Sequence, residues 1–478
     1  MNRINLVILA ILICGFYLIV GFDHKSDGAI SVLDVERPNV LVINIDDLGF
    51  HDISAYGSKI YQTPNVDGLI KESYSFYNAY ANYPRCLPSR YAMITATYPV
   101  NEFNIDLSQT AEENNFIKQF SKEGYQSFYV GKWHLGEGKN TPKGFGFDAS
   151  YAANGAGGVA SHFYPFNTKK LIAPIGEVPP VEDVEKDGKE GDYLADLLTD
   201  KMIDYIQNRD RSKPFFGILC PYAVHTPFEA KQEDIARNAE QIRNFDFGDQ
   251  PEFVNEGNGV TKMRQNDSVY AAMVENMDWN LGRLLETIEN AGLKENTILV
   301  FTSDHGGLSN RGDVNRRLAT TNFPLRAGKG HLYEGGVRVP LMVRWPKYLS
   351  PKVDDKSVVA LMDLMPTLLD LAIDSRLSSV DGKSFKNVMM STETWDDRDL
   401  FFYEKMARPK NTGDFPGMAM RSGNFKLLHY FNTDTYELYD LSNDPGEEQN
   451  IISKNPKLAE KLKSKMEVWK SKFVKENP

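Results

Sequence analysis

Two acidic motifs each come directly after a predicted strand. Asp46 and Asp47 follow one long apolar run, and Asp304 and His305 follow another. Adjacent carboxylates repel each other, and a cation between them is the simplest way to keep both ionised. Because the carboxyl ends of parallel strands converge, these four side chains could face one another and bind a divalent metal. Taken alone, an Asp-Asp pair more often belongs to a solvated turn or a helix cap.

A candidate nucleophile lies in the motif Arg85-Cys86-Leu87-Pro88-Ser89-Arg90. A lone free cysteine is usually an inert small hydrophobe. Cys86, however, lies between two arginines and ahead of an apolar segment, 91–96, that could form a helix. Pro88 suits the first turn of that helix. Cations and a helix N-terminus both favour a bound anion or an activated nucleophile at this point.

Lysine and histidine also lie next to predicted strands. Lys132 and His134 follow one strand, His225 follows another, and Lys329 and His331 precede a third. The chain has 8 histidines. Histidine next to several strand ends is a pattern that hydrogen-bonded structural histidines explain less readily than chemistry does.

The elements that must position these residues are continuous apolar runs and amphipathic helices. Runs of the kind buried on both faces of a parallel sheet occur at 39–45, 215–220, 297–302 and 339–343. Helical patterns between the runs cover about 193–206 and 268–293. Strands alternating with helices predict a doubly wound α/β sheet with its ligands at the carboxyl ends of the strands. Two further segments, about 150–190 and 306–330, predict loops.

The end of the chain has a different pattern. Residues 425–430 and 436–441 predict paired antiparallel strands, and a charged helix follows at about 455–474. We therefore predict a catalytic α/β domain at 38–364 and a smaller C-terminal α+β subdomain at 365–478.

Composition excludes several classes of protein. Hydrophobic residues make up 41% and charged residues 25%, so the chain is neither disordered nor fibrous. The 54 basic and 65 acidic residues give a net charge of −11, and we expect no nucleic-acid partner. Three cysteines (Cys14, Cys86 and Cys220) are too few for a disulfide framework.

The N-terminus predicts export. Residues 4–22 form a long apolar run after Arg3, and about 19 apolar residues can just span a bilayer. We predict a signal peptide or an uncleaved membrane anchor at 1–22 and a linker at 23–37. Cys14 leaves lipid attachment open. The expected location is the periplasm, with the cell surface or secretion as alternatives.

Together these motifs resemble the type I sulfatase family, which has an alkaline-phosphatase-like fold. Cys86-Leu87-Pro88-Ser89-Arg90 matches the family signature Cys-x-Pro-Ser-Arg, whose cysteine is oxidised to formylglycine (3-oxoalanine). The similarity runs from Asn39 to about Ile451 and includes Leu438-Tyr439-Asp440-Leu441-x-x-Asp444-Pro445-x-Glu447. The resemblance implies a large mixed, mostly parallel sheet flanked by helices.

The resemblance also implies a metal site and a modification. Asp46, Asp47, Asp304 and His305 would hold one Ca²⁺ together with the oxygen of formylglycine at position 86. Many family members have Asn where His305 stands, although His also occurs. A formylglycine-generating maturase would act on Cys86.

By the same resemblance, further residues would act on the sulfate ester. Arg90 would pair with the formylglycine hydroxyl, and Lys132 and Lys329 would bind sulfate oxygens. His225 would be the general acid that protonates the leaving alkoxide. His134 would be the base that regenerates the aldehyde by taking a proton from the second hydroxyl.

Several other residues have a substrate role and a bland role as alternatives. His331 and Arg326 are candidate substrate contacts, and a surface position is the alternative for His331. Arg311, Arg316 and Arg317 could recognise an anionic sugar together with Arg326, because guanidinium groups bind carboxylate and sulfate well. A solvated loop explains these arginines equally well.

The function implied is hydrolysis of O-sulfate esters in a sulfated polysaccharide or its oligosaccharides. An algal polymer of the ulvan or carrageenan type is the expected substrate, with glycosaminoglycans as the alternative. A phosphoesterase of the same superfamily would favour a Ser or Thr nucleophile and extra metal ligands. A non-catalytic binding protein would be expected to lose the nucleophile, a metal ligand or a lysine, and all of these are present.

Overall fold

The structure is a computed structural model, and it describes residues 37–100, 105–166, 181–391 and 393–474. The predicted signal peptide or anchor at 1–22, Cys14, and nearly all of the linker at 23–37 lie outside the described residues, as does part of the predicted loop at 150–190. Within the described ranges, no helix has the length and apolar character needed to cross a membrane.

Strands in the described part of the chain are numbered in chain order. They are β1 (Asn39–Ile45), β2 (Tyr74–Tyr80), β3 (Gln126–Gly131), β4 (Ala149–Tyr151), β5 (Phe215–Cys220), β6 (Phe253–Glu256), β7 (Gly259–Lys262), β8 (Thr297–Ser303), β9 (Asn310–Arg311), β10 (Arg338–Arg344), β11 (Lys352–Ala360), β12 (Asp399–Glu404), β13 (Gly417–Ser422), β14 (Phe425–Tyr430) and β15 (Thr435–Asp440).

The α-helices are numbered in the same way. They are α1 (Pro64–Lys71), α2 (Cys86–Thr95), α3 (Phe116–Lys122), α4 (Pro142–Phe145), α5 (Glu182–Asp187), α6 (Leu194–Asn208), α7 (Gln232–Arg243), α8 (Ser268–Asn290), α9 (Glu334–Val337), α10 (Leu364–Ile373), α11 (Lys386–Met390), α12 (Pro409–Thr412) and α13 (Pro456–Phe473). Single 3₁₀ turns lie at Phe50–Asp52, Ser54–Tyr56, Leu107–Gln109, Glu112–Asn114, Gly138–Asn140, Lys294–Asn296, Leu361–Asp363 and Ile452–Lys454.

The large sheet has eight strands in the order β11-β2-β10-β8-β1-β5-β3-β4. Strand β10 runs antiparallel to β2 and β8, and the other neighbouring pairs are parallel. This arrangement confirms the predicted mixed, mostly parallel α/β sheet. The four apolar runs that predicted strands all form strands of this sheet.

Strand β1 shows why these runs are continuously apolar. Leu41 and Ile43 point into one buried cluster, and Val40 and Val42 point into the cluster on the other face. Helices α6 and α8 cover the first face, and α3 and α10 cover the second. Since both faces are covered, apolar side chains at successive positions are all removed from water. The face of α8 that packs on the sheet repeats every third or fourth residue: Met273, Met277, Leu281, Leu284 and Ile288.

A second, antiparallel sheet of four strands, β12-β13-β14-β15, carries helix α13. It confirms the predicted antiparallel pair near the end of the chain and the charged helix that follows it. Helix α10 packs in the cluster of the large sheet, whereas the small sheet begins at Asp399. The domain boundary at 364/365 stays a prediction.

A third sheet, β6-β7-β9, was not predicted from the sequence. Its two ladders are antiparallel, and β9 lies five residues after His305. The sheet therefore fastens the beginning of the 306–330 loop to the hairpin formed by β6 and β7.

Candidate active site

The two acidic motifs meet at one edge of the large sheet. Strands β1 and β8 are parallel neighbours with Ile45 opposite Ser303, so the next residues of both strands come out side by side. We name Asp46, Asp47, Asp304 and His305 the carboxylate cluster. All four are buried, and their potential ligand atoms lie within 4.8 Å of one another. The predicted convergence of these side chains is confirmed.

The turn after β1 is held in a shape that brings Asp47 beside Asp304. Asp47 has a φ of 63°, in the left-handed region that aspartate tolerates better than most residues. Its backbone N–H donates to Asp304 Oδ1 at 3.2 Å. Both aspartates therefore belong to one hydrogen-bonded unit before any ion is considered.

His305 turns one ring nitrogen toward the carboxylates. Its Nδ1 donates to the Gly306 carbonyl at 2.9 Å, which leaves Nε2 facing Asp47 Oδ1 at 3.1 Å and Asp304 Oδ1 at 3.6 Å. Burial alone would lower the pKa of His305, but Asp304 and Asp47 raise it to about 10. The two carboxylates thus stabilise positive charge at Nε2, which either a proton or a divalent cation would supply. Three carboxylates and an imidazole fit a divalent metal ion.

Arg90 joins the cluster to helix α2. Its Nε donates to Asp304 Oδ2 at 2.9 Å, its Nη1 to the Lys132 carbonyl at 2.7 Å, and its Nη2 to Asp46 Oδ1 at 3.4 Å. The residue before it, Ser89, donates from its hydroxyl to the Asp304 carbonyl at 2.5 Å. These contacts fasten the first turns of α2 against the strand ends.

Two lysines bring their ammonium groups to the aspartates. Lys132 Nζ lies 2.6 Å from Asp46 Oδ2, and Lys329 Nζ lies 2.6 Å from Asp47 Oδ1. Burial would raise the pKa of Asp47, but Lys329, His225 and His305 hold it well below its usual value. The two ammonium groups contact different aspartates, so a tetrahedral anion at this edge could be bound by two cations.

Cys86 is the first residue of α2 and lies against the carboxylate cluster. Its sulfur, an Asp46 oxygen and a His305 nitrogen lie within 4.8 Å of one another. Burial alone would raise the pKa of the thiol. The charges of Lys132, His134 and Lys329 and a hydrogen bond with His134 lower it well below the usual value. The position therefore stabilises negative charge on whatever atom residue 86 presents.

The two histidines predicted to transfer protons, His134 and His225, both lie beside the backbone at Gly157 and Gly158. His134 lies close enough to Cys86 to lower the pKa of its thiol. His225 holds its Nε2 4.0 Å from Asp47 Oδ2, and its Nδ1 donates to the Thr226 carbonyl at 2.8 Å. Burial, together with the charges of Lys329 and Lys132, lowers the pKa of His225 to about 4 against the opposing effect of Asp47. The backbone at Gly157 passes so close that a Cβ there would be 2.6 Å from His134 Nε2.

Two predicted substrate contacts are bound elsewhere in the protein. Arg326 donates from Nε and Nη2 to Glu256 at 2.7 and 2.9 Å, and from Nη1 to the Tyr439 hydroxyl and the Glu447 carbonyl, each at 2.9 Å. Its guanidinium is thus used by structural contacts. His331 is buried and donates from Nε2 to the Thr412 carbonyl at 2.9 Å. A contact of Arg326 and His331 with the substrate stays a prediction. The hydrogen bonds that both side chains make within the protein do not favour it.

Asp52, which fixes the turn after the carboxylate cluster, was not identified from the sequence. Asp52 is buried and accepts from Gly49 N at 2.8 Å, Tyr270 Oη at 2.6 Å and Thr320 Oγ1 at 2.5 Å. Burial raises its pKa to about 6 against these hydrogen bonds. The bonds tie the turn after Asp47 to helix α8 and to the 306–330 loop. The only local signal is an aspartate between His51 and Ile53, five residues after Asp47.

Comparison with known proteins shows similarity to sulfatases along most of the chain. The sequence model of the sulfatase family matches residues 38–375, and the model of the N-sulphoglucosamine sulphohydrolase C-terminal region matches 327–472. A sulfatase of Formosa agariphila is 28% identical, with 91% of this chain and 89% of that protein covered. The N-acetylglucosamine-6-O-sulfatase of Bacteroides thetaiotaomicron is 25% identical, with 91% and 86% covered.

A solved structure of another protein is also similar to this chain over most of its length. The crystal structure of Ps i-CgsB in complex with k-i-k-neocarrahexaose is 27% identical to this chain and has a TM-score of 0.71. The comparison covers 91% of this chain and 93% of the other. The similarity therefore extends over both the large sheet and the small one.

Proposed function

This chain belongs to the sulfatase family of sulfuric ester hydrolases, and we propose that it removes O-sulfate groups from a sulfated polysaccharide or its oligosaccharides. The proposed nucleophile is a formylglycine made from Cys86 by a maturase. The observation that carries the proposal is the convergence of Cys86, Lys132 and Lys329 on the carboxylate cluster.

The carboxylate cluster is the proposed Ca²⁺ site. Asp46, Asp47, Asp304 and His305 would hold the ion, because their donor atoms already lie within 4.8 Å of one another. When bound, the ion supplies positive charge that lowers the cost of forming an oxyanion beside residue 86. Fixed hydrogen bonds from Arg90 and from the Asp47 N–H keep the carboxylates oriented toward this point.

Lys132 and Lys329 are the proposed sulfate ligands. Each Nζ lies at the strand ends within 2.6 Å of a carboxylate oxygen. The charges of both lysines also lower the pKa of the Cys86 thiol. The ester's charge spreads over the sulfate oxygens in the transition state, so fixed ammonium groups bind it more strongly there than in the ground state. Their burial strengthens that effect because little water screens it.

Two histidines are the proposed proton carriers. His134 lies close enough to Cys86 to lower the pKa of its thiol, which supports its role as the base that takes a proton from residue 86. His225 has its Nδ1–H fixed by the Thr226 carbonyl, which directs Nε2 into the site for proton donation to the leaving alkoxide. Its pKa of about 4 describes the protein alone. The negative charge of a sulfate ester bound between the lysines would raise that pKa toward the range a general acid needs.

An algal polysaccharide of the carrageenan or ulvan type is the proposed substrate. A similar protein has been solved with a neocarrahexaose, which supports this choice. Glycosaminoglycan oligosaccharides are the alternative, supported by the name of the Bacteroides relative. We also propose export to the periplasm or beyond, because residues 4–22 have the composition of a signal peptide or anchor.

Free sulfate released from a panel of sulfated polysaccharides and oligosaccharides tests the proposal. Protein coexpressed with a maturase is compared with Cys86→Ser prepared in the same way. We expect release from one polymer class by the wild type only. Equal release by Cys86→Ser would contradict the nucleophile, and cleavage of phosphate esters in place of sulfate esters would contradict the reaction.

A further inference from the structure

The 306–330 loop carries four arginines, and three of them are held by the protein. Arg317 donates from Nε and Nη2 to Asp267 at 2.6 and 2.7 Å, and Arg326 is bound to Glu256. Arg311 donates to the Asn315 side chain at 2.9 Å and to the Arg316 carbonyl at 3.2 Å. The charges of Arg317 and Arg326 are therefore balanced by carboxylates, and Arg311 uses its Nη1 in contacts within the loop.

Arg316 is different. Its guanidinium has no hydrogen-bond or ion-pair partner among the residues that the structure describes, although it is half-buried. Burial lowers its pKa, Arg85 and Arg408 lower it further, and only Asp47 raises it. A guanidinium that is partly removed from water and faces two like charges is costly to leave without an anion.

The backbone on both sides of Arg316 is fixed, so its side chain is presented from a defined place. Val314 N donates to the Lys410 carbonyl at 2.9 Å, and Gly312 N donates to the Asn411 carbonyl at 3.2 Å. On the other side, the two-bond ion pair between Arg317 and Asp267 fastens the loop to the start of α8. The loop therefore bridges from α12 to α8.

The same bridge lies beside the active site. Helix α12 contacts Arg85, the residue before Cys86, because Arg85 Nη2 donates to Thr412 Oγ1 at 3.0 Å. Arg85 also pairs with Asp414 at 2.6 Å and with Glu404 at 3.2 Å, so its own charge is neutralised by the protein. Arg316 thus adds a cation that has no ion-pair partner in the described part of the chain, and it interacts electrostatically with Asp47 and with Arg85, the residue before Cys86.

We infer that Arg316 binds a second anionic group of the substrate, distinct from the sulfate ester that is cleaved. The inference rests on the proposed function and narrows its substrate class. The cleaved sulfate is assigned to Lys132 and Lys329, whose ammonium groups lie on the carboxylate cluster. Arg316 lies on the loop outside that cluster, so its ligand belongs to the same sugar or to its neighbour.

The shared chemistry of that ligand is a planar or tetrahedral oxyanion that a guanidinium binds with two hydrogen bonds. A second sulfate and a uronic-acid carboxylate both have this chemistry. The preferred substrate is therefore a glycan with at least two anionic groups close together, and a monosulfated glycan is bound less tightly.

Binding measurements on the full chain test this without any need for turnover. In a Cys86→Ala background with CaCl₂ present, calorimetry compares three oligosaccharides of one backbone: one sulfate, two sulfates, and one sulfate with a carboxylate. Arg316→Gln should weaken binding of one or both doubly anionic probes about tenfold, the range expected for one charge-assisted hydrogen-bonding group. Binding of the monosulfated probe should change less than about twofold.

Controls separate charge from structure. Arg316→Lys should recover part of the affinity, and Arg317→Gln should leave the difference between the probes as it is in the parent. Which doubly anionic probe loses affinity identifies sulfate or carboxylate as the second group. Equal weakening of all three probes by Arg316→Gln, or no weakening of any, would overturn the inference.

A parallel assay keeps this test apart from the proposed function. Matured wild-type protein is incubated with the same three oligosaccharides, and released sulfate is measured. Sulfate release with an unchanged binding difference in Arg316→Gln would contradict the inference alone. Absence of release, with the binding difference lost in Arg316→Gln, would contradict the proposed reaction and support the anion site.

Discussion

Two buried groups of charges in this protein use similar residues for different ends. The carboxylate cluster lies at the ends of β1 and β8, and a second group lies between the large and small sheets. We name Glu334, Arg338, Lys426 and Glu447 the interface cluster. All four are buried, like the members of the carboxylate cluster.

In the interface cluster, charges of opposite sign are matched to one another. Lys426 Nζ lies 2.9 Å from Glu334 Oε1 and 3.1 Å from Glu447 Oε1. Arg338 Nε donates to Glu334 Oε2 at 2.7 Å, and Glu334 N donates to Glu447 Oε2 at 2.6 Å. These contacts join α9 and β10 to β14 and to the turn after β15, so the cluster holds two sheets together.

The carboxylate cluster is arranged differently, because its groups face a common point. His305 Nε2 faces two aspartates, and the ammonium groups of Lys132 and Lys329 approach from separate segments. Buried charges that are matched pairwise fix a structure, whereas buried charges that converge on one point can bind an ion or an anion. The geometry of the contacts distinguishes the two uses, and the residue types do not.

The largest expected effect comes from removing one carboxylate of the carboxylate cluster. Asp304→Asn should lose bound metal and sulfatase activity together, by about a thousandfold in kcat/KM, because a metal supplies several kcal/mol of charge stabilisation. Metal content by mass spectrometry and sulfate release check this on the same sample. Retention of stoichiometric metal by an inactive variant would show that Asp304 is not a ligand.

In the interface cluster, removal of a charge is expected to lower stability and to leave activity nearly unchanged. Lys426→Met leaves two buried carboxylates without their shared cation and should lower the free energy of unfolding by about 3–5 kcal/mol. Activity per folded molecule should stay within about twofold of wild type. Urea unfolding and sulfate release measure the two quantities.

A matched control for this variant is Lys465→Met. Lys465 pairs with Asp399 at 2.7 Å, but both side chains are partly exposed to solvent. The loss of such a pair should cost less than about 1 kcal/mol. If the two lysine variants were equally stable, the interface cluster would not hold the sheets together as we describe.

A smaller effect is expected in the pH dependence of stability. Burial and the nearby charge of Glu334 raise the pKa of Glu447 to about 7 against the opposing charge of Lys426. Since the folded protein then binds this proton more tightly than the unfolded chain does, Glu447 costs stability as the pH rises from about 4.5 to about 7. Glu447→Gln should remove that loss.

The measurement is the free energy of unfolding of wild type and Glu447→Gln at pH 5 and pH 8. The wild type should lose on the order of 2 kcal/mol relative to the variant between these values. A difference between the two proteins that is independent of pH would contradict the assignment of the titration to Glu447.

The sequence predicted the strand ends well because the signals there are local. Continuous apolar runs identified β1, β5, β8 and β10, and the chemistry-bearing residues Asp46 and Asp304 follow two of them directly. Parallel pairing then brings those residues together without further information. The motif around Cys86 marked the start of α2 in the same way.

Contacts between distant segments could not be predicted. Arg326 looked like a substrate residue, but Glu256 in the unpredicted β6–β7 hairpin binds it. Arg85 pairs with Glu404 and Asp414, more than 300 residues later. A single sequence gives no signal for such pairs, because they depend on how the sheets pack and not on local spacing.

The most direct test of the account is the chemical state of residue 86 measured beside activity. Preparations with different degrees of maturation are analysed by peptide mass spectrometry, in which formylglycine is about 18 Da lighter than cysteine. Sulfate release per molecule should rise in proportion to the fraction of formylglycine and vanish where Cys86 is unmodified. Full activity in protein that carries only unmodified Cys86 would contradict the account.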